Sequence, residues 1–209
     1  AICEGLVGSE MCIRDSAGEN YMAFDKTKTD PSLGQKVHEH LISVGVETPV
    51  IDNGLSRKEK IEKIEKHFDE IVTILGLDLK DDSLIDTPKR VAKMYVNEIF
   101  WGLDYDAFPK ATVVENKMDY NEMIVERNIS VQSNCEHHFV VIDGLATVAY
   151  VPEKNVLGLS KINRIVEYFC KRPQIQERLT EQIYHALSYI LETDNVCLLY
   201  TSPSPRDLR

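Results

Sequence analysis

The sequence predicts an α+β protein, with helices first and then a sheet that carries two further helices. Two observations support this prediction. Between residues 57 and 75, apolar residues recur at helical spacing, so that Ile61, Ile64 and Phe68 share one face. From Ala111 onward the period changes, and short runs rich in β-branched residues alternate with turn signals. The two regions therefore meet near residue 110.

Residues 22–110 form the predicted N-terminal helical region. A first helix is predicted over residues 31–46. A second begins after Ser56, whose hydroxyl suits an N-cap, and ends at Gly76. A third begins at residues 86–88, where Pro88 suits the first turn of a helix.

Residues 111–196 form the predicted sheet region. The pattern favours strands at 112–114, 123–127, 129–132, 138–142 and 145–151. Asp143-Gly144 is predicted to be the hairpin turn between the last two of these strands. Ser160 is predicted to cap one helix and Pro173 to open another, after which residues 195 and 196 enter a further strand.

The composition is that of a globular chain, with 209 residues, 43% hydrophobic and 28% charged. A net charge of −10 argues against a general nucleic-acid or membrane-surface binder, because both partners are polyanions. A small anionic ligand is compatible, since it needs only a few local cations. No apolar run approaches the roughly 20 residues of a membrane span, and no secretory signal is evident. We therefore expect a cytoplasmic protein.

Two short segments, residues 6–16 and 197–207, differ in character from the rest of the chain. Both correspond to translations of one DNA element, read on opposite strands, that resembles the transposon-type adapter used in preparing sequencing libraries. We expect residues 1–21 to be a non-native leader, with Met22 as the natural start, and residues 197–209 to be a non-native tail. Both ends are expected to pack poorly, because they have no core to join.

A thiol and two imidazoles fall within four residues at Cys135-Glu136-His137-His138. Cys135 and His138 can reach one ion, and thiolate plus imidazole is a ligand pair that zinc favours. His137 would lie beside the metal and move protons near neutral pH. The alternative is an ordinary reduced cysteine near two partly buried histidines.

Two later groups carry polar side chains suited to a nucleotide. Ser160, Lys161 and Arg164 place a hydroxyl and two cations near a predicted helix start, where free N–H groups favour phosphate. Gln176 and Glu177 offer an amide and a carboxylate suited to the N–H edge of guanine. Each group alone is also compatible with a solvated helix start.

In their order and spacing, these motifs resemble GTP cyclohydrolase I, particularly its bacterial type. The resemblance runs almost continuously across residues 31–196 and is carried by residues 82–95, 133–138, 148–150, 158–166 and 172–180. It implies a zinc enzyme that converts GTP and water to 7,8-dihydroneopterin triphosphate and formate, the first step of tetrahydrofolate and pterin biosynthesis. It also implies Cys135 and His138 as zinc ligands and His137 as the catalytic proton-transfer residue.

The same resemblance implies the contacts to substrate and the assembly. Ser160, Lys161 and Arg164 would face the ribose-triphosphate, and Gln176 with Glu177 would hold the guanine. The family has a tunnelling fold, in which two strands, two helices and two strands follow a set of helices. It forms a toroidal homodecamer with its sites at subunit interfaces.

The sequence departs from the family pattern after Val196. Family members continue there with a strand bearing a further His and the third zinc ligand, a Cys, and then a last strand. Cys197 is too early to be that ligand. We therefore expect the last two strands and the third ligand to be missing, and the printed chain to bind zinc poorly and to be inactive. Alternatives are a structural zinc or interaction module and another tunnelling-fold pterin enzyme.

Overall fold

The computed structural model describes residues 27–201, so the predicted leader lies outside the described residues. The predicted α+β class is confirmed within this part of the chain. Its elements are α1 (Pro31–Ser43), α2 (Arg57–Ile74), α3 (Thr87–Met94), β1 (Val113–Glu115), β2 (Ile124–Cys135), β3 (Val141–Tyr150), β4 (Asn155–Leu157), α4 (Leu159–Cys170), β5 (Pro173–Gln174), α5 (Gln176–Leu191) and β6 (Val196–Thr201).

Side-chain caps define where the first two helices begin. The Asp30 carboxylate accepts a hydrogen bond from the Leu33 amide at 2.9 Å, at the start of α1. Ser56 and Glu59 form a capping box at the start of α2, so the predicted Ser56 cap is confirmed. Gly76 follows the end of α2 with a φ of +80°, a conformation that favours glycine.

The helical region does not end with α3. This helix passes directly into a π-helical turn, Tyr95–Ile99, and then into short 3₁₀ turns that include Trp101–Leu103. The wider π turn stacks Tyr95 against Phe68 of α2, with ring centroids 5.6 Å apart. Tyr95 and Phe100 also contact Phe139, which follows β2, with ring centroids 6.3 and 5.1 Å away, so aromatic side chains connect this region with the sheet.

A four-stranded sheet in the order β5-β2-β3-β6 forms the centre of the second region. β2 and β3 are antiparallel, β6 is antiparallel to β3, and the short β5 is parallel to β2. A bulge in β2 lies between Glu126 and Ile129, where Asn128 adopts a φ of +59°. A separate two-stranded ribbon pairs β1 with β4.

The core lies between the sheet and the helices. α4 packs on β2 and α5 on β6, and α1 packs on α5. The apolar faces predicted for α4 and α5 are buried, since Ile162, Ile165, Leu179 and Ile183 are each at most 2% exposed. Across residues 27–201, no helix is both long enough and apolar enough to span a membrane.

The predicted hairpin turn at Asp143-Gly144 is wrong. These residues lie inside β3, and residues 136–140 form the turn between β2 and β3. Gly144 is needed for a different reason. A Cβ there would come within 2.6 Å of the Tyr200 ring and closer still to the Thr201 carbonyl oxygen, so the glycine admits the backbone of β6.

Two predicted helix starts are also wrong. Gly158 occupies the N-cap of α4, and Ser160 lies inside the first turn without a capping hydrogen bond. Pro173 belongs to β5, and α5 begins only at Gln176. Pro173 is in a strand because it pairs with Asn134 of β2. This tertiary contact outweighs the local preference of proline for helix starts.

The expectation of poor packing after Val196 is wrong for residues 197–201. They complete β6, which pairs with β3 from Tyr150↔Val196 to Leu145↔Thr201. Leu198 and Tyr200 pack against the core, whereas Cys197 and Leu199 are exposed, so the strand has the alternation of a half-buried edge. One strand therefore follows α5 in the described part of the chain.

Candidate active site

The cysteine and histidine motif lies in the turn between β2 and β3, which we call the Cys-His turn (residues 135–140). The Cys135 N–H donates to the Val140 carbonyl, and the Phe139 N–H donates to the Cys135 carbonyl, both at 2.8 Å. The Asn134 side chain also donates to the Phe139 carbonyl at 3.2 Å. These bonds place the motif where β2 ends, as the sequence predicts.

Within the turn, the thiol lies closest to His137. Cys135 Sγ is 3.5 Å from His137 Nδ1, and the direction of this hydrogen bond depends on the tautomer. The rings of His137 and His138 are 6.3 Å apart, and both side chains are exposed. The turn thus presents one half-buried thiol and two solvent-facing imidazoles on a few residues.

The start of α5 lies directly beside this turn. β5 pairs Gln174 with Cys135, and the Glu136 N–H donates to the Gln174 carbonyl at 3.0 Å. Arg178 forms an ion pair with the Glu136 carboxylate. The exposed side chains of Gln176 and Glu177 therefore begin α5 next to the predicted metal ligands.

Buried hydrogen bonds hold β5 in place. Gln174 Nε2 donates to the Phe169 carbonyl and to Gln182 Oε1, each at 2.8 Å. Gln182 in turn donates to Thr48 Oγ1 at 3.0 Å, which links β5 to the connector after α1. An unpaired buried amide would destabilise the folded state, so β5 is favoured in the position where these hydrogen bonds form. This chain of bonds therefore holds β5 beside Cys135.

Ser160, Lys161 and Arg164 lie at the start of α4, away from the Cys-His turn. Asn163 donates to Glu126 at 3.2 Å, which places this helix start beside the first half of β2. Cys135 is the last residue of β2, nine residues further on. At about 3.3 Å per residue, the two ends of this segment are roughly 30 Å apart. A single chain therefore does not bring the two groups together.

The remaining cysteines among residues 27–201 do not join the turn. Cys170 is buried, and burial raises the pKa of its thiol to about 12, which keeps it protonated. Cys197 lies opposite Ala149, toward the end of β3 remote from the turn. Within the described residues, no three His, Cys, Asp or Glu side chains are grouped to hold a metal.

Sequence reasoning missed several residues that support the turn. Arg178 follows the predicted guanine contacts, but nothing in the sequence pairs it with Glu136. Phe139 has a φ of +54° and packs against Phe100 at 5.1 Å, a contact that depends on the position of the π-helical turn. These contacts join segments that are distant in the sequence and have no local signature.

Comparison with known proteins identifies the class to which this fold and site belong. A model of the GTP cyclohydrolase I family matches residues 64–203. The GTP cyclohydrolase 1 of Aeromonas salmonicida is 60% identical over 170 residues, which cover 80% of this chain and 78% of that protein. That of Shewanella loihica is 58% identical over 164 residues, 78% of this chain and 77% of its own length.

A third relative agrees with these two. The GTP cyclohydrolase 1 of Tolumonas auensis is 58% identical over 166 residues, covering 79% of this chain and 77% of that protein. Each match extends over most of this chain and most of the relative, rather than over one motif. The chain belongs to the GTP cyclohydrolase I family.

Proposed function

We propose that this chain, once a third zinc ligand is supplied after Val196, opens the imidazole ring of the guanine of GTP by zinc-dependent hydrolysis. Release of formate and rearrangement would give 7,8-dihydroneopterin triphosphate, the first step of tetrahydrofolate biosynthesis. The observation that supports this proposal is the position of the Cys-His turn beside the Gln176 and Glu177 side chains. A base held by α5 would lie next to the metal ligands.

Cys135 and His138 are the proposed zinc ligands in the described residues. Cys135 is only half-buried at the end of a strand, and His138 is exposed, so a thiolate and an imidazole are available to an ion. Cys170 is buried and protonated, so its thiol is not available to an ion. When bound, zinc supplies a Lewis acid that lowers the pKa of bound water to about 7.

His137 is the proposed proton-transfer residue. Its ring is exposed, and its Nδ1 lies 3.5 Å from Cys135 Sγ, so the imidazole borders the proposed ligands. Ring opening, formate loss and re-closure each require protons to move at nitrogen or oxygen atoms. A positioned imidazole accelerates such transfers by typically about 10²–10⁴-fold.

Gln176 and Glu177 are the proposed guanine contacts. A carboxylate accepts the N1–H and N2–H₂ protons of guanine, and an amide can donate to or accept from the same base. Both side chains are exposed at the start of α5, and the Gln176 amide donates a long hydrogen bond of 3.5 Å to the Tyr200 carbonyl of β6, which a bound base would replace. Holding the base against the turn places the carbon to be attacked beside the metal and reduces the entropy lost on reaction.

The proposed triphosphate contacts are Ser160, Lys161 and Arg164, and they require a second copy of the chain. They lie at the N-terminus of α4, where helix dipole and cations favour phosphate. Because they are roughly 30 Å from Cys135 along β2, GTP cannot reach both groups within one chain. This separation supports the homo-oligomer, a decamer in the resemblance, with sites between subunits.

Residues 27–201 supply two proposed ligands, whereas catalytic zinc sites normally keep three protein ligands and a water. We propose that zinc binding and turnover need a third ligand supplied after Val196. The test compares the printed chain with an extended chain, in which residues 1–196 are followed by the segment that follows the equivalent position in the Aeromonas salmonicida relative.

Zinc per chain by plasma mass spectrometry and formate released from GTP are measured for both. We expect about one zinc per extended chain, with steady formate release, and clearly less of each from the printed chain. Equal zinc and equal formate in the two proteins would show that no further ligand is needed. An extended chain that binds zinc and releases no formate from GTP would contradict the proposed reaction.

A further inference from the structure

We propose that Arg178 is a positioning residue, whose ion pair with Glu136 fixes the Cys-His turn against the start of α5. This inference rests on the proposed function, because it assigns Arg178 to the site formed by the proposed zinc and guanine contacts. Arg178 does not touch a reacting atom in this account. It acts through the backbone of the turn and through the helix that carries it.

The ion pair is located where it can control the turn. Glu136 lies between Cys135 and His137, and its carboxylate binds the Arg178 guanidinium. The two side chains are only 26% and 19% exposed, so water screens the pair less than a surface pair. Movement of Glu136 would therefore also displace the backbone of its neighbours Cys135 and His137.

Arg178 also belongs to the helix start that is proposed to hold guanine. It follows Gln176 and Glu177 directly, within the first turn of α5. The backbone connects this segment with the turn through the two-residue strand β5 and through the Glu136 N–H bond to the Gln174 carbonyl. The ion pair adds a second connection, and two connections restrict rotation as well as separation.

The turn needs such a restraint because its backbone is strained. Phe139 has a φ of +54°, a left-handed conformation that is unfavourable for a bulky non-glycine residue. Such a conformation persists only where its surroundings hold it. On one side Phe139 packs against Phe100 and its carbonyl accepts from Asn134. On the other side, Arg178 holds Glu136.

Because the ion pair restrains the turn, it fixes the distance between the guanine proposed to bind at the start of α5 and the metal proposed to bind at the turn. A displacement of about 1 Å at a reacting group can lower the rate on the order of 10²-fold. Loss of the ion pair releases the turn toward solvent and moves the proposed ligands relative to Gln176 and Glu177. Arg178 therefore sets the geometry in which the proposed ligands meet the bound base.

The test uses the full 209-residue chain in four variants: Arg178→Gln, Glu136→Gln, the double variant and Arg178→Lys. Arg57→Gln is the control, because Arg57 forms an ion pair with Asp104 at 3.0 Å, outside the turn, although this pair is more exposed, at 36% and 46%. Hydrogen–deuterium exchange is followed at the amides of Cys135 and Phe139, which are bonded within the turn. Co²⁺ is the metal probe, and its thiolate charge-transfer absorption reports on Cys135.

We expect exchange in the turn to become roughly three- to tenfold faster in both single glutamine variants. The double variant should equal the singles, because either change removes the same pair. Arg178→Lys should restore part of the protection, and Arg57→Gln should have no effect on the turn. The Co²⁺ absorption, measured with the same substitutions in the extended chain, should weaken in the glutamine variants and stay unchanged in Arg57→Gln.

Unchanged exchange in Arg178→Gln, or additive effects in the double variant, would overturn the inference. The exchange measurement needs no bound metal and no turnover. If the extended chain, which supplies the third ligand, shows no cobalt–thiolate absorption, the proposed ligand role of Cys135 fails, while the exchange data on the 209-residue chain still decide the role of Arg178.

Discussion

Burial separates Cys135 from Cys170 as candidate metal ligands. Cys135 is half-buried at the end of β2, whereas Cys170 lies inside the core and has its pKa raised to about 12 by burial. The residue type is the same, and only the surroundings differ. His137 and His138 are neighbours in the turn and both exposed, and the proposed function gives them different tasks.

Substitutions in the extended chain separate these tasks. Cys135→Ser and His138→Ala should lower bound zinc to a small fraction of one per chain, because a ligand is removed. His137→Ala should leave zinc bound and slow formate release by about 10²–10⁴-fold, because only proton transfer is lost. The readouts are metal content and formate release. Normal turnover by His137→Ala would refute its role, and loss of zinc in that variant would make it a ligand.

At the scale of elements, the connector after α1 is joined to β5 by a buried arginine. The Arg172 guanidinium donates to Glu47 at 3.1 Å and to the Gly102 carbonyl, and Arg172 is completely buried. It also lies about 5 Å above three aromatic rings, which include Tyr168 at 5.0 Å. One side chain thus connects the helical region with the strand beside the Cys-His turn.

Arg172→Met should destabilise the protein strongly. Removing the guanidinium leaves the mostly buried Glu47 carboxylate with only the His38 imidazole and the Tyr105 hydroxyl as side-chain partners, and loss of one partner of a buried pair typically costs about 3–5 kcal/mol. The free energy of unfolding from urea titration is the measurement. The exposed Lys154–Glu192 pair provides the control, since Lys154→Met should cost less than about 1 kcal/mol. A loss below 1 kcal/mol for Arg172→Met would show that the buried pair does not hold these elements together.

Local sequence patterns predicted the helices and their caps better than they predicted the tertiary contacts between elements. Ser56 and the apolar faces of α4 and α5 follow from capping and helical period, which are properties of adjacent residues. The Asp143-Gly144 turn was wrong because a glycine that admits a neighbouring strand has the same sequence as a glycine in a hairpin. The motif residues Cys135, His137 and His138 were placed in one turn as predicted, but their support by Arg178 depends on tertiary contacts.

At the scale of the whole molecule, β2 separates the two halves of the proposed site. The Cys-His turn lies at its end, and Lys161 lies on the helix beside its beginning, roughly 30 Å away. No rearrangement of a side chain spans this distance, since even arginine and lysine extend only several ångströms. The central claim is therefore that each site combines the turn of one chain with the α4 start of another.

Mixing two inactive variants of the extended chain tests this claim most directly. Cys135→Ser removes the metal half, and Lys161→Ala with Arg164→Ala removes the phosphate half. Each should be nearly inactive alone, and formate release should return after the two are co-expressed, because some interfaces then combine two intact halves. Native mass spectrometry verifies that mixed oligomers form. Formate release restored in mixed oligomers is the result we predict, and mixed oligomers without formate release would contradict a site shared between chains.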